Sequence, residues 1–203
     1  MSRFAEPLSR LIDEFNKLPG IGKKSAQRLA FHLLRTQDED AIALADAIRE
    51  LKAHLRLCSI CNNITEMDPC VFCTSASRNP RTICVVEEPS NIATIEKTKR
   101  YSGVYHVLHG VLSPLNGIGP EQLRVRGLLD RARQGHVDEI ILATNPTTEG
   151  EATAMYLADQ LREFSEASLR ITRIATGIPA GADIEYVDEI TMTSAMEGRR
   201  VME

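Results

Sequence analysis

The chain has 203 residues, 43% hydrophobic side chains, no tryptophan and a formal net charge of −4. That is enough for one good-sized core or two to three small modules, and it excludes a basic coat for nucleic acid. No apolar run approaches the roughly 18 residues of a membrane span, and the N-terminus lacks the apolar centre of a signal peptide, so a cytoplasmic location is expected. Five cysteines are an odd number. With four of them tightly grouped, they point to a metal site rather than a secreted disulfide framework.

Leu8, Leu11, Ile12 and Phe15 recur at helical spacing and predict an amphipathic helix over 7–17, stopped by Pro19 and Gly20. A second helix is predicted from Lys23 to Leu34, with Ala26, Leu29, Ala30 and Leu33 inward. Between them lies Leu18-Pro-Gly20-Ile-Gly22-Lys23-Lys24. Glycines there let backbone N–H groups approach a phosphate, and the positive end of the second helix opens at the same point. This is the pattern of a helix-hairpin-helix, which grips the DNA backbone without reading sequence. Gly20, Gly22, Lys23, Lys24 and Arg28 are the expected DNA contacts. The alternative for the lysines is solubility of an exposed helix. Residues 1–35 carry seven Lys/Arg against three acids, a local +4 on an otherwise acidic chain. A third helix is predicted over 39–55, through Ile42, Ala45, Ile48 and Leu51.

Cys58-x2-Cys61 and Cys70-x2-Cys73 follow, eight residues apart. Each pair can give two thiolates to one ion, and zinc takes four in a tetrahedron. All four would be ligands, leaving no open position for chemistry, so a structural zinc knuckle with one ion per chain is expected. The polar residues between the pairs offer little apolar surface, so the metal would supply the folding energy. Cys84, in the apolar run Thr82 to Val86, reads as a core residue.

After a polar linker at 75–81, short β runs alternate with helices. Strands are predicted at 82–86, 104–108, 139–143 and 169–174. Helices are predicted at 90–100, from Pro120 to about Gln134, and at 150–164 with Ala154, Leu157, Ala158 and Leu161 inward. That rhythm indicates an α/β unit with a mostly parallel sheet over 80–176. A turn-rich break at 176–181 leads to a last short helix at 188–197. Glu87 and Glu88 close one strand, and Asn145-Pro-Thr147-Thr148-Glu149-Gly-Glu151 follows another. Sites in such sheets form at the carboxyl ends of strands, which would bring Glu87 and Glu149 near one another.

The second of these segments is similar to the Toprim fold of topoisomerases and primases, whose motif there reads Asp-Pro-Asp and then Arg-Glu-Gly-Glu. Glu87 matches the glutamate of the first Toprim motif. Asn145 and Thr147 occupy the two metal-binding aspartate positions, and Thr148 replaces a basic residue. Neither Asn nor Thr supplies the charge that a hard divalent cation wants. The resemblance therefore implies a site that has lost catalysis, keeping an acidic surface for a partner or for weak magnesium binding. In that reading Glu87, Glu88 and Glu149 form a partner-binding face; the alternative is ordinary surface acids.

The assembled order resembles the RecR family of bacterial recombination mediators over essentially the whole chain. The stretches Leu18 to Leu29, Cys58 to Cys73, Ala143 to Glu151 and Gly177 to Arg199 carry the likeness. It implies four parts: a helical helix-hairpin-helix module at 1–55, a four-cysteine zinc knuckle at 56–75, a Toprim-like domain at 80–176 and a C-terminal segment at 177–203 that makes oligomer contacts. It further implies a non-enzyme that assembles as a ring-like homotetramer able to encircle DNA. With a RecO-like partner, and in some settings a RecF-like one, such proteins help load the RecA recombinase onto single-stranded DNA coated by single-strand binding protein, in DNA repair. Two other readings compete. One is a magnesium-dependent Toprim enzyme, such as a nuclease, a primase-like protein or a topoisomerase relative. The other is a generic DNA clamp. No Gly-x4-Gly-Lys-[Ser/Thr] loop is present to cradle a nucleotide.

Overall fold

A computed structural model describes residues 4–164 and 169–201. Arg3, counted in the basic N-terminal stretch, lies outside the described residues, as do 202 and 203 at the end of the C-terminal segment. The chain forms two compact units, Met1–Leu55 and Arg56–Glu203.

The first unit is three helices: α1 (Glu6–Asn16), α2 (Lys23–Leu33) and α3 (Asp38–His54). Gly20, at φ +79°, makes the turn between α1 and α2, a conformation that costs an L side chain energy. Ile21 N–H donates to Leu18 O at 3.1 Å to close that turn. On α2 only Ala26 and Ala30 are buried, while Leu29, expected inward, is 39% exposed. The cause is crowding: small side chains let α2 lie close to its neighbour, and Leu29 falls off that line of contact. The apolar stripe predicted on α3 is also uncovered in this unit, with Ile42, Ile48 and Leu51 each more than half exposed.

The second unit begins with the cysteine-bearing knuckle. It comprises the two-residue strands β1 (Arg56–Leu57) and β2 (Ile64–Thr65), paired antiparallel, and the single turn of α4 (Val71–Thr74). Next come β3 (Asn79–Val86), α5 (Pro89–Glu96), β4 (Gly103–Val107), α6 (Val125–Arg133), β5 (Glu139–Leu142), α7 (Thr148–Phe164), β6 (Arg170–Arg173) and α8 (Glu189–Glu197). The four longer strands form one sheet in the order β4-β3-β5-β6, parallel throughout. Alternation along β3 divides its side chains between two cores. Ile83 and Val85 join Leu128, Leu157 and Leu161 of α6 and α7 on one face; Cys84 and Val86 join Ile92 of α5 and Phe72 of the knuckle on the other. The four residues expected inward on α7 are all buried.

The three largest departures from the sequence reading lie in β3, α5 and α6. β3 starts at Asn79, inside the expected linker, because Asn79 N–H finds Ser102 O at 2.8 Å. α5 ends at Glu96 rather than near 100, where Lys99 turns at φ +55°. The helix expected from Pro120 is two pieces: a 3-10 turn at Pro120–Gln122 and then α6. Leu123 between them is extended (ψ 156°) and drops its side chain into the core. Burying that leucine outweighs helix continuity.

Candidate nucleic-acid, zinc and acidic sites

At the start of α2 the cap residue is Gly22, in extended conformation with no side-chain cap. The first-turn amides are therefore left for an external acceptor, and the dipole adds positive potential there. Lys23, Lys24 and Arg28 are exposed, and among the described residues none of them makes an ion pair. Lys24 and Arg28 line an open groove of about 920 Å³ together with Gln27, His32 and Arg35. Lys23 lies off that groove. Lys24, Arg28 and His32 follow helical spacing along α2, with Arg35 just beyond its C-cap; His32 and Arg35 were not among the expected contacts because they lie away from the glycine hairpin.

The four cysteines of the knuckle converge. Their sulfurs all lie within 4.8 Å of one another. Cys58 Sγ to Cys73 Sγ is 3.9 Å and Cys61 Sγ to Cys70 Sγ is 3.5 Å. Ligands at ~2.3 Å around a tetrahedral zinc stand ~3.8 Å apart, so the residues fit that ion. Burial pushes the Cys58 thiol up, but the N–H groups of Cys70, Cys61 and Ile60 outweigh it and bring the group down to about 7. Cys61 is pushed far up by its hydrogen bond with Cys73 and by burial, and Cys70 is raised to about 11 by burial. Four thiols this close cannot all ionise without a cation among them. Cys84 is buried in the second core, its thiol raised by burial to about 12, and takes no part.

The knuckle is fastened to the sheet. Val107 N–H, on the free edge of β4, donates to Cys61 O at 2.8 Å, and His109 Nε2 meets Asn62 O at 2.7 Å. Phe72 packs edge-on to Tyr105 with ring centroids 5.3 Å apart. Arg78 lies over the Phe72 ring and pairs with Glu96 at 2.6 Å. An edge strand that would template pairing with another chain is thus covered.

At the carboxyl ends of β3 and β5 the structure brings Glu87 and Asn145 together. Glu87 is buried, 8% exposed. Its carboxylate accepts from Asn145 N–H at 2.7 Å and from Asn145 Nδ2 at 2.5 Å. Thr147, in the second aspartate position of the Toprim motif, accepts from Gly150 N–H at 3.1 Å and so caps α7. Gly150 has no room for a side chain: a Cβ would clash with Asn145 O and stand 2.9 Å from Glu87 Oε1. Arg173 holds the loop from below. It donates to Leu142 O and Thr144 O at 2.8 Å each and pairs with Glu151 at 2.6 Å. Glu88 and Glu149 are exposed and, among the described residues, free of ion pairs. Glu87 therefore faces inward while Glu88 and Glu149 face solvent.

Four family models match in tandem: the RecR helix-hairpin-helix over 8–52, the RecR four-cysteine zinc finger domain over 55–75, the Toprim domain over 81–175 and the RecR C-terminal segment over 177–200. The chain is 68% identical over 200 residues to the recombination protein RecR of Acidobacterium capsulatum, covering 98% of this chain and 99% of that one. It is 63% identical over 200 residues to that of Koribacter versatilis and 55% identical over 200 residues to that of Carboxydothermus hydrogenoformans, with the same coverage. The Toprim-like site is not an enzyme's: its one buried carboxylate is consumed by an amide, and its other two metal positions carry Asn and Thr, of which Thr caps a helix.

Proposed function

Because the chain belongs to the RecR family, proteins of DNA recombination and repair, we propose that it is a recombination mediator. It binds DNA by the backbone without sequence preference. It assembles as a ring-like homotetramer able to encircle DNA. With a RecO-like partner, and a RecF-like one in some settings, it promotes loading of RecA onto single-stranded DNA covered by single-strand binding protein. It works in the cytoplasm, at the nucleoid; no helix among the described residues is long and apolar enough to cross a membrane. The knuckle carries one structural zinc ion per chain on Cys58, Cys61, Cys70 and Cys73. Glu88 and Glu149 face the partner, and Glu87 shapes the loop beneath them.

The observation that carries this reading is the uncapped N-terminus of α2, where Gly20 and Gly22 expose the first amides beside Lys23, Lys24 and Arg28, which make no ion pair among the described residues. Phosphates satisfy amides and cations together, whereas base edges lie beyond such short reach. Self-association finds support in two uncovered apolar faces. One is a groove of about 730 Å³ in the first unit, lined by Leu8, Leu11, Phe15, Leu34 and Ile48 among others. The other is the C-terminal segment, where Ile184, Tyr186, Ile190 and Val201 are all well exposed. Several copies around one hole raise the effective concentration of a weak patch.

The test is DNA affinity of a Lys23→Ala, Arg28→Ala double variant, measured on unrelated sequences over a range of salt. Affinity should fall about equally for all sequences, and the log–log salt slope should drop by about 1 to 2 per subunit engaged. Unchanged affinity at low salt, with zinc content and assembly intact, would remove the assignment.

A further inference from the structure

α6 presents a half-buried cation with no acid to match it. Arg131 Nη1 donates to Tyr105 O at 2.8 Å. Elsewhere in this unit the half-buried guanidinium groups have carboxylate partners: Arg78 has Glu96 and Arg173 has Glu151. Arg131 has none among the described residues, and Asp130, its neighbour in sequence, is paired with Arg133 instead. Leaving a positive charge partly desolvated without an anion is expensive, so the anion must be sought among other groups.

The edge of β4 shows where it lies. In a parallel strand the N–H and C=O of one residue point to the same side, and alternate residues share that side. Tyr105 and Val107 both point away from β3. Tyr105 O takes Arg131, and Val107 N–H takes Cys61 O at 2.8 Å. Two residues along a strand span ~6.6 Å, so the guanidinium sits next to the knuckle's Cys61 along one edge. Arg131 and Cys73 also line a common cavity of about 580 Å³ with Ser59 and Ile60. Cys73 is the one ligand of the four that is not fully buried.

We propose that Arg131 is the counter-cation of the four-thiolate site, holding its negative charge against the edge of β4 and slowing loss of the metal. The inference rests on zinc occupancy of the knuckle. Four thiolates around a divalent ion carry a net charge of −2. Backbone N–H groups of the knuckle, such as Cys70 N–H at 3.3 Å from Cys58 Sγ, are dipoles that offset part of this charge but carry no full positive charge. Arg78, the other arginine packed against the knuckle, is committed to Glu96. An arginine suits the task because it keeps its charge while donating to a carbonyl. The proposal makes one side chain the joint between metal and sheet: the same guanidinium binds the strand and balances the ion.

Zinc content and the rate of zinc transfer to an excess of a chromogenic chelator are measured on the full chain, for the wild type, Arg131→Gln and Arg131→Lys. Gln keeps an N–H donor for Tyr105 O without charge, and Lys keeps the charge. Partners of this kind are worth ~10–100-fold in metal affinity, so Arg131→Gln should release zinc faster by that order. Arg131→Lys should stay within a few-fold of the wild type. In cobalt-substituted protein, the thiolate charge-transfer band should shift for Gln and not for Lys. Release at the wild-type rate from Arg131→Gln would overturn the proposal while leaving the zinc reading intact. Equal acceleration in Lys and Gln would also overturn it, assigning Arg131 to packing alone; should Gln fail to fold, release from Arg131→Lys more than tenfold faster than from the wild type would by itself overturn the charge role. Wild-type protein purified without chelator and free of zinc would overturn both the proposal and the reading beneath it.

Discussion

Asn145 binds Glu87 with two donors at once, its backbone N–H and its side-chain amide. In a metal-using site of this architecture a carboxylate would stand where the amide stands, and a cation would lie between. Here the amide does the cation's work of satisfying Glu87. Asn145→Asp should therefore replace a charge-assisted hydrogen bond by carboxylate facing carboxylate. A loss of ~1.5–3 kcal/mol is expected at neutral pH. Protonation of one carboxyl in acid, or millimolar Mg²⁺ or Mn²⁺, should restore much of it. Thermal midpoints with and without the divalent ion check this. A variant as stable as the wild type at neutral pH, with no response to metal, would show that the pair contributes nothing.

That pair also marks the limit of what could be read from the residues. Helices α1, α2, α3 and α7 follow from periodicity, since apolar spacing leaves little alternative for segments of that length. The knuckle follows from cysteine spacing. The meaning of Asn145 and Thr147 as substitutions was readable too, by comparison with the Toprim pattern. Their present roles were not. That Glu87 turns inward, and that Thr147 caps α7, depends on which donors the fold places nearby, and spacing carries no such information. Leu29 and the α3 stripe deceived for another reason: periodicity finds an apolar face but not what covers it. Arg131 was invisible because its partner, the edge of β4, is 26 residues away in sequence.

Removing the metal should be felt in the sheet as well as the knuckle. Cys70→Ser takes away one ligand and the tetrahedron with it, so zinc content should fall well below one per chain. Amide exchange should quicken over 56–75 and also at Val107, whose N–H is held by Cys61 O. Hydrogen-exchange mass spectrometry on variant and wild type reads both regions. Full protection at Val107 after metal loss would mean that the knuckle stays docked on β4 by apolar contact alone.

The acidic face separates into two kinds of residue with different expected behaviour. Glu88 and Glu149 are exposed, so reversing both to Lys should weaken the complex with a RecO-like partner; because Glu88 also closes the capping box at the start of α5 and Glu149 lies in the first turn of α7, stability should fall as well, by about 1 kcal/mol. For binding, about 1 kcal/mol, roughly fivefold, is the scale for such rim charges, and the effect should shrink as salt rises. Glu87→Gln should lower stability through its lost charge-assisted bond, with little salt dependence of binding. Calorimetry at two salt concentrations distinguishes them. Undiminished binding by the Glu88→Lys, Glu149→Lys variant would return both residues to ordinary surface acids.

His106 makes the second unit sensitive to acid. It is fully buried on β4, and its Nε2 lies 2.7 Å from Arg124 O, which makes Nε2 the protonated nitrogen. Nδ1 has no hydrogen-bond partner among the described residues. Burial depresses the group to about 4, against a smaller upward push from the Arg124 carbonyl. The folded value thus lies below the ordinary histidine value of ~6.5. Above ~6.5 both folded and unfolded chains carry the neutral ring, and the contribution to stability is complete. Between there and about 4 the unfolded chain gains a proton that the folded chain refuses, so stability falls with pH across that window. At pH 5 the loss from this group alone amounts to ~2 kcal/mol. His106→Gln keeps a donor for the Arg124 carbonyl and cannot titrate. Urea unfolding at pH 7.5 and pH 5 should show the wild type losing ~2 kcal/mol more than the variant. Because every other titrating group is common to both proteins, parallel losses would mean that the buried ring takes up its proton in the folded state as readily as in the unfolded one.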